Sequence, residues 1–365
     1  MTKSANSQDK LPYIYRRLFQ ITPLENERLY ISRKVEEDQL ETAYRKWLLG
    51  GYAPVIVSAE KGSGLTSFLN LFLKKLEGKT VFRRINVKPT LFKTEDLLKL
   101  FEKFFVNEKF LSVEDLINYL NDENNKQVIV VENLQHMYLR NLRGFECLKV
   151  FTQIISKTSK NIFWITTCTL YANQLLNKTI KIDDTFGYQI RLRQIPEKMI
   201  TELIKKRNSI SGYNLEFKPD PLIPRKKEFN KLPYKQKQNL LEQDFFNTLN
   251  KFAQSNISLA LLFWLEAISE IQERNVYVNA DFEISSSALN LLSQENLFLI
   301  QSLILHDGLR VQDLAKTINY SLDETNQLLQ NLEDDNIIIK SEDIYTINPI
   351  LYRRSVNILK TKNLI

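Results

Sequence analysis

The sequence predicts an α/β fold: a parallel sheet with helices on both faces, then a helical region, then a small three-helix unit closed by a strand pair. Three observations carry that reading. Short β-branched runs alternate with helical stretches between residues 54 and 192, the pattern of a parallel sheet. A glycine turn joins the first of those strands to a helix. Residues 281–365 read as three helices, a hairpin and a closing helix, which is a winged-helix order. At 365 residues the chain is too long for one ordinary domain.

Taken in order, residues 1–30 carry few periodic signals and read as an arm. Val35, Leu40, Tyr44 and Leu48 recur at helical spacing, with acids early and Arg45 and Lys46 late. Pro54–Ser58 is a short apolar strand, followed by the turn Lys61-Gly-Ser-Gly64 and the apolar helix Thr66–Leu76. Strands are expected at Val81–Val87, Gln127–Val131, Asn161–Thr167 and Tyr188–Leu192. Helices are expected at Thr94–Phe105, Ser112–Leu120 and Phe145–Ser156.

Beyond Pro196 the chain changes character. Pro196–Ser209, Leu240–Ala253 and Ser258–Arg274 read as helices. Between them, residues 218–237 hold four of the ten prolines and seven basic residues against two acids, an exposed basic loop. Asn296–His306, Val311–Ile318 and Leu322–Leu332, then Ile337–Lys340 and Ile344–Ile347, give the winged-helix pattern, and Leu351–Leu359 closes it.

Composition narrows the function. Fifty basic and 43 acidic residues leave +7, a mild excess. Two cysteines exclude a disulfide scaffold and a four-cysteine zinc site, and two histidines leave no nucleophilic triad. Met1–Lys10 lacks a signal-peptide core, and Leu259–Leu265 is too short to span a bilayer. A cytoplasmic protein without a membrane span is expected.

The chemistry-bearing signal is the turn. A loop of form G-x-x-x-x-G-K-[ST] presents backbone N–H groups and a helix N-terminus to phosphate, with lysine on the terminal phosphates and the hydroxyl on magnesium. Here the eight positions read Ala59-Glu-Lys-Gly-Ser-Gly64-Leu65-Thr66. The second glycine and the threonine are present; Ala59 and Leu65 replace the first glycine and the lysine. A leucine cannot neutralise phosphate charge, although Lys61 lies within the loop. The strand Val128–Val131 ends in Glu132-Asn133. Glu132 suits the acid that holds magnesium; Asn133 cannot be a general base but can orient a water. Thr166 and Thr167 end the next strand. Arg140, Arg143 and Arg207 are candidate phosphate-contacting arginines.

In this order, Ile31-Ser-Arg33-Lys-Val-Glu36, Ala59–Thr66, Val128–Asn133 and Thr166-Thr167 resemble the motif series of AAA+ ATPases, in the branch of origin-recognition-type and STAND-type proteins. Arg207-x-x-x-Ser211-Gly212 and Ser255-Asn256 are similar to lid signatures. The resemblance implies a P-loop AAA+ parallel sheet over 31–195, a helical lid over 196–280 and a winged helix over 281–365. It implies ATP or ADP with magnesium, or a pocket that takes none. Lys61, Gly62, Ser63, Gly64, Leu65, Thr66, Ser67, Thr167 and Arg207 would bind nucleotide, and Thr66 and Glu132 the metal. Leu65 stands at the family lysine and Glu132-Asn133 at the family Asp-Glu pair, so an inactive or very slow ATPase is expected.

The third winged-helix segment, Ser321–Asp335, holds five carboxylates and no basic residue, which opposes docking on phosphates. The expected function is therefore a regulatory AAA+/STAND-like protein with a degenerate nucleotide site. It would self-associate and control a protein partner met through the winged helix. The alternative is a DNA-associated AAA+ ATPase that holds duplex through basic patches: residues 218–237, the Lys74/Lys75/Lys79/Arg83/Arg84 group and Arg353/Arg354.

Overall fold

A computed structural model describes residues 11–365 apart from 26, 89–90, 107, 284–288 and 290–291. The Met1–Lys10 reading lies outside the described residues, as do 284–288 and 290–291, just beyond the expected boundary at 281. In chain order the helices are α1 (Tyr13–Phe19), α2 (Lys34–Leu48), α3 (Leu65–Leu76), α4 (Thr94–Phe104), α5 (Val113–Asn121), α6 (Glu146–Thr158), α7 (Leu170–Ile180), α8 (Glu197–Ser211), α9 (Lys227–Lys231), α10 (Tyr234–Ala253), α11 (Ile257–Ala267), α12 (Gln294–His306), α13 (Val311–Ile318), α14 (Leu322–Asp334) and α15 (Tyr352–Thr361). The strands are β1 (Val55–Ala59), β2 (Phe82–Asn86), β3 (Gln127–Glu132), β4 (Ile162–Thr169), β5 (Tyr188–Arg191), β6 (Asn214–Lys218), β7 (Ile268–Gln272), β8 (Asn275–Asn279), β9 (Leu309–Arg310), β10 (Ile338–Ser341) and β11 (Ile344–Ile347).

The chain forms two compact units. One comprises residues 32–61, 68–193 and 287–365. Its five-stranded sheet runs β2-β3-β4-β1-β5 with every pairing parallel. All residues of β3 and β4 are buried. A sheet covered on both faces needs such continuous β-branched runs, each buried Val or Ile contributing about 1.5–3 kcal/mol. The elements expected to form a winged helix belong to the same unit: α12, α13 and α14 pack with a three-stranded sheet ordered β10-β11-β9. Their core continues into Leu139, Leu170 and Tyr171 of the larger domain.

The other unit comprises residues 1–31, 62–67 and 194–286. Its helices carry a second sheet, ordered β6-β8-β7. At its centre Trp264 Nε1 donates to Tyr15 Oη at 3.0 Å, and Tyr15 Oη donates to Asn208 Oδ1 at 3.2 Å. Helix α1 is thereby an integral part of this unit.

Three expectations are corrected. The helix read over Ser258–Arg274 stops at Ala267. Its remainder pairs with β8 as a hairpin that turns at Glu273 (φ +49°), because Ile268, Ile271, Val276 and Val278 form a half-buried strand pair. Strand β4 runs on to Thr169, so Thr166 and Thr167 lie inside it. The basic segment 218–237 is not one irregular loop: Lys218 ends β6, α9 covers Lys227–Lys231 and α10 begins at Tyr234.

Candidate functional site

Glycine chemistry shapes the loop between β1 and α3. Gly62 and Gly64 have φ of +80° and +88°, left-handed values that L side chains rarely adopt. A Cβ at Gly64 would meet nothing within 4 Å, whereas one at Gly62 would lie 2.7 Å from Asn256 Oδ1. The loop is thus open at Gly64 and covered at Gly62. Asn256 caps α11 by accepting from Leu259 N at 3.1 Å, and Ser258 N donates to Gly62 O at 3.1 Å. Ser63 lies between the two glycines and is half-buried. Leu65 and Thr66 are half-buried in the first turn of α3, and Ser67 Oγ accepts from Leu24 N at 2.9 Å. A helix N-terminus behind a left-handed glycine fits an anion. No lysine stands at position 65.

The residues before the loop are committed elsewhere in their own unit. Lys61 Nζ is 2.6 Å from Asp307 Oδ1, just past α12. Glu60, behind it, accepts from Tyr171 Oη at 2.6 Å and pairs with Arg353 of α15.

At the end of β3, Glu132 meets Arg84 of β2. Arg84 Nε and Nη2 hold its two carboxylate oxygens, the second at 2.9 Å, and Arg84 Nη1 donates to Asn70 Oδ1 at 2.6 Å. The register explains the meeting: Asn86 lies opposite Glu132, and Arg84 is two residues back on the same face. Asn133 follows in the left-handed region at φ +69°. Its backbone N donates to Thr167 Oγ1 at 3.0 Å, its Nδ2 donates to Asn86 Oδ1 at 2.9 Å, and its Oδ1 accepts from Gln135 Nε2 at 3.1 Å.

A magnesium ion held at this acid would have to share its oxygens with the Arg84 guanidinium, whose positive charge already compensates the carboxylate. Both oxygens of Glu132 accept from a guanidinium, so the residues here do not fit a divalent cation at this acid. Among the described residues no group of three or more His, Cys, Asp or Glu side chains stands together to hold a metal.

Arg207 is buried in α8 and directs Nη1 to Leu18 O at 2.8 Å and Nη2 to Leu29 O at 3.5 Å. Burial pushes its pKa down to about 10. The structure therefore places Arg207 as a clamp on the chain around α1. His136 Nδ1 lies 2.7 Å from Val87 O, and Arg140 donates to Gln301 Oε1 at 2.7 Å; both knit structure together. Arg33 and Glu36, in α2's approach and first turn, hold the backbone of Arg193.

Sequence reasoning missed Arg84 as the partner of Glu132, grouping it with Lys74, Lys75, Lys79 and Arg83 as a basic patch. Arg83, its neighbour, faces the other side: it donates to Gln127 Oε1 at 2.8 Å and stacks near the Phe105 ring. The available signal was the alternation Phe82-Arg-Arg-Ile-Asn86, which puts one arginine on the Glu132 face whichever way the strand is turned.

No protein-family model and no curated protein matches the chain. Solved structures do. The ORC2 protein of Aeropyrum pernix, determined as ADPNP–ADP complexes, aligns with a TM-score of 0.50 and 12% identity over 96% of this chain and 99% of its own. Cdc6p from Pyrobaculum aerophilum aligns with a TM-score of 0.50 and 14% identity over 95% and 98%. The chain has an AAA+ fold. A Walker-type ATPase of Pyrococcus abyssi is also similar, with a TM-score of 0.48 and 16% identity over 93% and 99%. At these identities the likeness is one of fold. Among the described residues no helix is long and apolar enough to cross a membrane.

Proposed function

We propose that the chain is a regulatory AAA+-fold protein that holds ATP or ADP statically on the Gly62–Ser67 turn, hydrolyses it very slowly or not at all, and controls a protein partner through assembly. One observation carries this reading: the loop keeps its left-handed glycines, its helix N-terminus and Thr66, while the positions that would carry charge and catalysis are changed. Leu65 supplies no charge, Glu132 is bound by Arg84, and Asn133 cannot accept a proton in catalysis. Losing one well-placed electrostatic contact slows a reaction by about 10²–10³, and an ordinary turnover is on the order of one per second or faster.

Nucleotide released from the purified, denatured protein tests the first half, with ADP or ATP expected. Phosphate release tests the second. Turnover on the order of one per second that is abolished in Thr66→Ala would show a working ATPase instead.

A second reading, duplex DNA binding, is favoured by Lys226, Lys227, Lys231 and Lys235, which are exposed around α9. The other basic residues there are less available. Lys218 is paired with Glu270, and Arg225 with Asp281. Salt-dependent duplex binding separates this reading from the first.

A further inference from the structure

We propose that the outer edge of β2 is a docking site for an extended, acidic segment of a partner protein, which joins the main sheet as an added strand. The proposal goes beyond the reading above and does not depend on nucleotide.

The register of β2 sets which backbone groups face outward. It is an end strand of the five-stranded sheet and pairs with β3. Val128 N donates to Val81 O at 2.9 Å, and Val87 N donates to Glu132 O at 3.1 Å. In a parallel ladder alternate residues turn their N–H and C=O groups to the same neighbour. Val81, Arg83, Ile85 and Val87 therefore face β3, while Phe82, Arg84 and Asn86 turn theirs outward. Among the described residues no hydrogen bond reaches the backbone N–H or C=O of those three. A row of open donors and acceptors on a sheet edge is a template for another extended chain.

The smaller sheet shows how this chain closes an edge. On β6, Phe217 N donates to Gln238 Oε1 at 2.8 Å, and Phe217 O accepts from Gln238 Nε2 at 3.0 Å. One side-chain amide thus stands where a neighbouring strand would put a peptide group. Tyr213, just before β6, is closed likewise: its N donates to Ser211 Oγ at 3.3 Å, and its O accepts from Asn208 Nδ2 at 2.8 Å. Among the described residues no side chain does this along β2.

Charge selects the occupant. From Lys79 to Lys88 the chain carries Lys79, Arg83, Arg84 and Lys88 and no acid. Arg84 is spent on Glu132. Lys79, Arg83 and Lys88 are exposed, and Arg83 bonds only to the neutral amide of Gln127. Val81, 64% exposed, offers an apolar contact at the start of the edge. A second copy pairing here would bring like charges together, which is how edge lysines keep sheets apart. Carboxylates on an incoming strand would instead meet these cations.

The probe is a short blocked peptide that alternates glutamate and valine. Its control is the same peptide with the backbone nitrogens methylated, which keeps the charge and loses the donors. Amide exchange in the full chain is read residue by residue by nuclear magnetic resonance. The first peptide is expected to slow exchange at Phe82, Arg84 and Asn86 by about tenfold or more, and to leave Arg83 and Ile85, already paired with β3, unchanged. The methylated peptide is expected to bind about tenfold more weakly. Lys79→Glu with Lys88→Glu is expected to weaken the first peptide by about tenfold at low salt, and unchanged exchange at Arg83 and Ile85 shows that its sheet is intact. No protection at the three outward amides, equal binding of the methylated peptide, or equal binding of a lysine–valine peptide overturns the proposal. Protection that grows with protein concentration without peptide, together with a doubled mass in sedimentation, assigns the edge to a second copy and overturns it too.

Discussion

At Gly62 the backbone is left-handed and a methyl group would run into Asn256; at Gly64 the backbone is equally left-handed and the space is open. Alanine at the two positions separates strain from collision. Gly64→Ala carries the left-handed penalty alone, about 1–2 kcal/mol. Gly62→Ala adds the displacement of Asn256, which is buried and caps α11; removing that cap costs about 1 kcal/mol more. Urea unfolding is expected to rank Gly62→Ala as the more destabilising, and equal costs would show that Asn256 yields freely. Much at this scale was legible in the sequence. Leu65 and Asn133 are identity facts, and a leucine has no charge wherever the fold puts it. What could not be read was commitment. Arg207 looked like a lid residue because of Ser211-Gly212 beside it, yet its donors go to Leu18 and Leu29, residues far away in sequence whose carbonyls no motif announces. Arg84 was hidden for a similar reason, since its carboxylate partner lies 48 residues on.

Between elements, a buried ionic cluster ties the end of β1 to α7 and α15. Glu60 accepts from Tyr171 and pairs with Arg353, and the two side chains are 13% and 7% exposed. Removing one partner of a buried pair leaves an uncompensated charge, at a cost of about 3–5 kcal/mol. Arg353→Met is expected to destabilise by that order in urea unfolding, and Arg353→Met with Glu60→Gln by clearly less than the two single losses added. Strict additivity would mean that the pair is not coupled. A second contact between elements gives a pH signature. His306 ends α12 fully buried, with its ring 4.5 Å from that of Tyr138. Burial, reinforced by the charges of Arg140 and His136, pushes its pKa down to about 3 from 6.5. The unfolded chain therefore takes up a proton below about pH 6.5 that the folded chain refuses. Stability is complete above that pH and falls as the pH is lowered toward 3, by at most about 1.4 kcal/mol per pH unit from this group. His306→Phe keeps an aromatic ring against Tyr138 and is expected to flatten the fall between pH 6.5 and 5; an unchanged slope would assign it to the carboxylates. The strands and most helices were legible from β-branched runs and helical spacing. The β7–β8 hairpin was not, because α11 runs into it without a glycine or proline, and only pairing with β6 decides between helix and strand there.

Over the whole molecule, the sequence order of motifs was legible while the grouping of segments was not. Residues of α12 to α15 share a core with Leu139, Leu170 and Tyr171, and Tyr15, from the lead segment, bonds Trp264 and Asn208. Both join segments far apart in the chain, which periodicity cannot report. Charge, by contrast, is carried by the sequence directly, and it bears on whether the winged helix reads DNA. Helix α14 would be the groove helix in the usual docking mode. Its exposed face holds Asp323, Glu324, Asn326, Gln327, Gln330, Glu333 and Asp334. Glu324 is engaged with Ser321 in a capping box, so it serves the helix start rather than a base edge. Gln327 and Gln330 could bond an adenine edge, but the carboxylates around them oppose the counterion release that drives approach to phosphate. Any duplex affinity of the full chain at low salt is therefore expected to survive Gln327→Ala with Gln330→Ala within about twofold. Changing Lys226, Lys227, Lys231 and Lys235 to glutamine should flatten its salt dependence, by roughly one unit of slope for each phosphate that a lysine had neutralised. A fall of about tenfold or more from the glutamine pair, with the lysine changes silent, would place α14 in the groove and overturn the proposal that this segment meets protein.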